Sequence, residues 1–167
     1  MSATPVRIRE AAPAEYEAVG DVIEAAYRAV GDPKFEDYVD EVRDVTRRAR
    51  SCPILVAVEE RTGAILGTVS YVPGPGNPYA ELERDGEAGM RMLAVDPSAQ
   101  GRGVGRALVA AVADRARAAG RRGLAINTRP SMVVAHRMYE RSGFVRDPAR
   151  DWEFEPGEWL WALTLRL

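Results

Sequence analysis

Leu93-Ala94-Val95-Asp96-Pro97-Ser98-Ala99-Gln100-Gly101-Arg102-Gly103-Val104-Gly105-Arg106 runs from an apolar strand, through a turn, into a glycine-rich loop that opens a long helix. Such a junction aims several backbone N–H groups at one point, and the helix N-terminus adds partial positive charge there. The ligand this geometry favours is a phosphate or pyrophosphate. Two familiar loops of this kind are excluded. A P-loop places Lys and then Ser or Thr after its last glycine, whereas Gly105 is followed by Arg106 and Ala107. A dinucleotide fingerprint needs a third glycine where Arg106 stands and an acidic residue roughly 20 positions on, and none lies between Gly120 and Arg137.

Outward from this stretch the pattern is alternating strand and helix. Residues 6–9 alternate as a first strand, and residues 14–30 carry Val19, Ile23, Ala26, Tyr27 and Val30 at helical spacing before Gly31. Pro33 opens a second helix with the stripe Phe35, Tyr38, Val39, Val42 and Val45. Residues 54–58 and 64–71 read as a hairpin around Arg61-Thr62-Gly63, and 73–86 as a long Pro/Gly loop. A fourth strand is expected over 87–95, a helix over 104–119 and a fifth strand over 124–128. A helix over 132–142, a sixth strand from 144 and a seventh over 159–167 complete the chain. Within Trp159 to Leu167, Trp159, Trp161, Leu163, Leu165 and Leu167 share strand parity.

A length of 167 residues suits one domain, 1–167, with its own core. The net charge of −2 gives no sign of a nucleic-acid binder, and no run reaches membrane-spanning length. Residues 1–5 lack an apolar signal core, and the single cysteine, Cys52, fits a reducing compartment, so a cytoplasmic protein is expected. No metal-ligand spacing is apparent.

The spacing Gln100, Gly103, Gly105 meets a third pattern, Gln/Arg-x-x-Gly-x-Gly/Ala. Here the chain resembles the GNAT superfamily of acetyl-CoA-dependent N-acetyltransferases. Leu93-Ala94-Val95-Asp96-Pro97 is similar to the end of that superfamily's fourth strand. Ala135-His136-Arg137-Met138-Tyr139-Glu140-Arg141-Ser142-Gly143-Phe144 looks like its second signature, Ala-x-x-x-Tyr-x-x-x-Gly-Phe. The resemblance implies an α/β (α+β) fold: a mixed central sheet of about seven strands, splayed at strands four and five, with roughly four helices.

It also implies an acyltransferase that uses acetyl-CoA and no metal to acetylate a primary amine, here of a small molecule. Protein N-terminal or lysine acetylation and a non-catalytic acyl-CoA sensor are the alternatives. A homodimer through C-terminal strands is compatible, with no nucleic-acid or membrane partner. The cofactor contacts implied are Leu93, Ala94, Val95, Gln100, Gly101, Arg102, Gly103, Val104, Gly105, Arg106, Ser131, His136 and Tyr139. Tyr139 is the implied general acid, since a phenol is protonated at neutral pH and can protonate a departing thiolate.

Three positions depart from the resemblance. Met132 stands where many relatives have a pantetheine-binding Asn, leaving Ser131 to replace it. Asn127 and Gly89 stand where some members carry a basic Glu on the fifth or fourth strand. Glu87 shares strand parity with Gly89 and becomes the candidate base. Glu81, Glu83, Asp85 and Glu87 read as a solvated charge run that can also attract a cationic amine.

Overall fold

The computed structural model describes residues 5–167, so the reading of residues 1–4 lies outside the described residues. The described residues form a mixed α/β architecture of eight strands and five α-helices. They cluster into two compact units, one comprising residues up to 71 with 91–111, the other 72–90 with 112–167.

In the first unit, β1 (Val6–Glu10), β2 (Ile54–Glu59) and β3 (Ile65–Val72) pair antiparallel, with Val6 opposite Glu59 and Leu55 opposite Val69. Strand β4 (Glu87–Val95) brings its second half to this unit, and past its end Asp96 N donates to Leu66 O at 2.8 Å. Three helices cover the strands: α1 (Tyr16–Val30), α2 (Phe35–Arg43) and α3 (Val45–Ala49). The expected second helix is thus two. Asp44, at φ −76° and ψ 66°, breaks it and caps the next turn by accepting from Arg47 N at 3.0 Å. Gly31 closes α1 in the left-handed conformation, as its sequence position suggested.

Val19 and Ile23 of α1, Phe35 and Val42 of α2 and Val45 of α3 pack on Ile54, Val56, Val58 and Ala94. Each such side chain contributes about 1.5–3 kcal/mol by leaving water. Close helix contact depends on Gly20, where a Cβ would come within 3.2 Å of Arg43 O. Arg48 is buried with its Nε donating to Ser70 Oγ at 3.0 Å and Nη2 to Val42 O at 3.2 Å. Cys52 is 1% exposed, its amide bonded to Arg48 O.

In the second unit, the first half of β4 runs parallel to β5 (Gly123–Thr128), in register at Glu87–Gly123 and Ala88–Leu124. Parallel neighbours need a crossover, supplied by α4 (Val104–Ala118), whose residues are shared between the units. Helix α5 (Val133–Arg141) follows β5, and β6 (Val145–Arg146) follows α5. The long strand β8 (Glu158–Arg166) pairs antiparallel with β5, β6 and β7 (Trp152–Glu155).

Strand β7 was not expected. It is four residues long and is closed onto β8 by a turn in which Gly157 has φ 79°. Along β8 the shared parity of the apolar residues survives, but burial is uneven: Leu163 is 1% exposed and Trp159 46%. Among the described residues no helix is long and apolar enough to cross a membrane.

Candidate active site

In the first unit, the strand-to-helix junction is built by side chains that tie the turn to itself. Asp96 accepts from Ser98 N at 2.8 Å and Ser98 Oγ at 2.5 Å, and Gln100 Nε2 donates to Val95 O at 3.3 Å. Gly101 and Gly103 then take φ of 74° and 81°, open to non-glycine residues only with strain. The amide of Ala107 bonds Gly103 O at 3.0 Å. The amides before it belong to a first helical turn, which by construction has no carbonyl behind it. Val104 and Leu108 anchor that turn in the core, while Gly103 and Arg106 face solvent. Arg102 meets Glu59, Nη2 to Oε1 at 3.3 Å, so part of its charge is already matched. That contact, after the Thr62 hydroxyl, holds the Glu59 carboxyl below its ordinary range.

Within β4 the chain does something its apolar sequence did not announce. Met92 has φ 53°, the left-handed region, in the middle of a strand. Such a residue costs on the order of 1–3 kcal/mol and persists only where packing holds it. Here Met92 packs on the core of the first unit, and Tyr27 Oη donates to its sulfur at 3.5 Å. Ala94 turns its side chain into the same core, whereas Leu93 and Val95 are half-buried.

The second unit holds the other expected residues. Tyr139 is buried on α5, and Gly143 at φ 95° reverses the chain so that Phe144 N reaches Tyr139 O at 3.0 Å. The two rings then lie 5.7 Å apart. This gives the Tyr-x-x-x-Gly-Phe spacing a structural reason. Gly143 is also pressed from outside, with a Cβ there falling 3.2 Å from Leu165 Cδ1. His136 stacks on Trp161 at 5.5 Å, and its Nε2 lies 3.0 Å from Arg129 O, which makes Nε2 the protonated nitrogen. Ser131 is exposed just before α5, and its carbonyl accepts from Val133 N.

Glu87 is held differently from its expected role as a base. Its carboxylate faces the Arg150 guanidinium through two bonds, Oε2 to Nη1 at 2.7 Å and Oε1 to Nη2 at 2.9 Å. Arg84 N adds a third at 2.8 Å. The Arg150 fork, with that amide, holds the Glu87 carboxyl below its ordinary range against the opposing effect of burial. A carboxylate so engaged is a weak proton acceptor and a strong anchor for the turn over 84–87. The acidic run around it is not uniformly solvated either: Glu83 is 8% exposed, and Glu81 accepts from Asn127 Nδ2. Among the described residues no group of three or more His, Cys, Asp or Glu is placed to hold a metal ion.

The model of the acetyltransferase (GNAT) family matches residues 16–144, which include the glycine loop and the Tyr139 motif. The chain belongs to the GNAT acetyltransferase family. This GNAT chain is 33% identical over 131 residues to a mycothiol acetyltransferase of Cellulomonas flavigena, a match covering 74% of the chain and 38% of that protein. The chain therefore spans well under half of that relative. A solved GNAT-family structure from Desulfovibrio desulfuricans superposes with a TM-score of 0.75 at 25% identity, covering 97% of this chain and 99% of the other. Another, a GNAT acetyltransferase from Brucella melitensis in complex with acetyl-CoA, gives a TM-score of 0.59 at 27% identity, covering 85% and 84%.

Proposed function

We propose that this chain is a single GNAT-type domain that transfers an acetyl group from acetyl-CoA to the primary amine of a small molecule. The observation that carries the reading is the turn with Gly101 and Gly103 at positive φ, which leads into the first turn of α4, where amides have no helix carbonyl behind them. A side chain at either position would fill the space a pyrophosphate needs. The curated relative's name specifies mycothiol rather than a protein, which favours a small acceptor.

In this proposal the amides over 101–105 hold the pyrophosphate, with Gln100 bracing the loop through Val95 O. Arg106, which is exposed, adds charge more readily than Arg102, which is drawn to Glu59. The backbone of Leu93, Ala94 and Val95 pairs with the pantetheine arm as an added strand would. A β4 amide donates to the acetyl oxygen as charge builds there. Bound acetyl-CoA supplies an activated thioester for an amine to attack. Tyr139 protonates the leaving sulfur. Ser131 stands near the start of α5, while His136, held by Arg129 O and Trp161, shapes the turn before α5 rather than moving a proton.

The test pairs binding with turnover. Acetyl-CoA at 100 times its Kd should stabilise the protein by roughly 2.7 kcal/mol, read as a rise in Tm. Incubation with acetyl-CoA and a panel of small primary amines should then release free thiol. No thermal shift would overturn the reading. A shift without turnover on any amine, peptide N-terminus or lysine would turn it into a sensor.

A further inference from the structure

We infer that Tyr27 of α1 is a positioning residue for acetyl transfer: through the Met92 sulfur it holds β4 in the bend that presents a strand amide to the acetyl oxygen. The inference rests on the acetyltransferase reading above and names the side chain that keeps the proposed donor in place.

The residue at the centre of the bend is an unusual choice. Among the described residues Met92 is the single non-glycine with positive φ, at 53°. A left-handed residue inside a strand disrupts the ladder locally and takes a backbone group beside it away from its strand partner. A β4 amide can serve a ligand only under that condition, and Met92 immediately precedes the Leu93 to Val95 stretch proposed to line the pantetheine arm. Glycine would reach this φ without strain, and would leave it as freely. A methionine stays there only under constraint, so the shape of the strand depends on whatever grips its side chain.

Two grips are present. The apolar body of Met92 packs on the core of the first unit, the same core that takes Ala94 two residues on. That contact has little direction, because an unbranched thioether chain fills a gap in several rotamers. The second grip is directional: Tyr27 Oη donates to Met92 Sδ at 3.5 Å, across 65 positions of sequence. A phenylalanine would fill the space of the Tyr27 ring, and the hydroxyl adds a fixed seat for the sulfur. Thioether sulfur is a weak acceptor, so the bond needs a donor that is itself well placed.

Tyr27 is so placed. Its ring stacks on Phe35 of α2, centroids 5.8 Å apart and planes 22° apart. Tyr38 meets Phe35 edge-on at 5.3 Å, and Tyr38 Oη donates to Asp32 Oδ2 at 2.5 Å in the connection between the two helices. Helices α1 and α2 thus fix the phenol together, and the bend in β4 inherits its position from them. All of these residues lie in the first unit.

A double-mutant cycle read at the acetyl group tests the role. Tyr27→Phe removes the hydroxyl and keeps the ring; Met92→Leu keeps a similar volume and removes the sulfur. Each should lower kcat for the fastest amine of the panel roughly 3- to 10-fold, the worth of one hydrogen bond. The double variant should fall no further than either single one. Coenzyme A, which has no acetyl carbonyl, should bind all three variants as it binds wild type. With bound acetyl-CoA carrying a heavy-isotope carbonyl, the infrared carbonyl stretch should move up from its wild-type frequency in each variant, as the amide loosens its hold. Losses that add in the double variant, or an unchanged kcat and stretch in a destabilised one, overturn the proposal and leave Tyr27 merely structural. Should the wild type turn over no amine, the stretch decides: a rise in both single variants, no greater in the double, supports the role, and one frequency throughout sinks it. If Tyr27→Phe does not fold, Met92→Leu alone must show the same rise, and its absence overturns the role. Wild-type protein that binds neither acetyl-CoA nor coenzyme A defeats the acetyltransferase reading itself, a result separate from any Tyr27 effect.

Discussion

Gly67 of β3 and Val104 of α4 meet so closely that a Cβ on the glycine would stand 2.9 Å from Val104 Cγ1. The same atom would also reach Ala94 O and Leu108 Cδ1 at 3.0 Å. The glycine is what lets the first turn of α4 settle on the strand, and that turn presents the proposed pyrophosphate cradle. Gly67→Ala should cost about 1–3 kcal/mol by overpacking and should weaken acetyl-CoA binding at the same time. Denaturant midpoints and the acetyl-CoA Tm shift would measure the two effects; full binding in a destabilised variant would show that the turn does not need this seat.

At Gly103 the order of losses should reverse. Its φ of 81° and its exposure mean that Gly103→Val strains the loop and fills the cradle without touching the core. Acetyl-CoA binding should vanish while the protein stays folded, with a stability loss of about 1–3 kcal/mol. Normal binding by this variant would place the pyrophosphate elsewhere.

Tyr139→Phe removes one oxygen from a buried ring and leaves its packing with Phe144. Turnover should fall by roughly 10²-fold or more with little change in acetyl-CoA affinity. Steady-state kinetics beside a Tm titration would show it. An unchanged kcat on an acceptor whose chemistry limits the rate would remove the phenol from the mechanism.

The Glu87–Arg150 pair should leave a mark on acid stability. Arg150 holds the Glu87 carboxyl below its ordinary value of 4.5 in the folded protein. Its contribution is therefore complete above that value and is lost as pH falls through the lower, folded one. Wild type should exceed Glu87→Gln in stability at neutral pH, with the gap closing under acid. A gap that persists unchanged at low pH would show that shape rather than charge holds the pair.

The strand-to-helix junction was legible because its glycines and turn residues do one local job each. Gly101, Gly103 and Gly143 all adopt the positive φ that only their residue type takes cheaply. Other features escaped because they are decided at a distance. Met92 belongs by composition to any apolar strand, and only the surrounding core bends it to φ 53°. Asp44 breaks a helix whose apolar stripe runs on past it. Trp152-Glu153-Phe154-Glu155 is too short to declare itself without β8 beside it, although Gly157 after Pro156 was a turn signal. Glu83 reads as one more acid in a charged run, and nothing local reports that Gly89 leaves space for it.

The burial of Cys52 has a practical consequence at the bench. The protein's single thiol is 1% exposed, under a backbone bond to Arg48. A disulfide reagent added during turnover should therefore colour with liberated coenzyme A and leave the folded catalyst unlabelled. Without acetyl-CoA, slow labelling of the same sulfur becomes a clock for transient opening of the first unit.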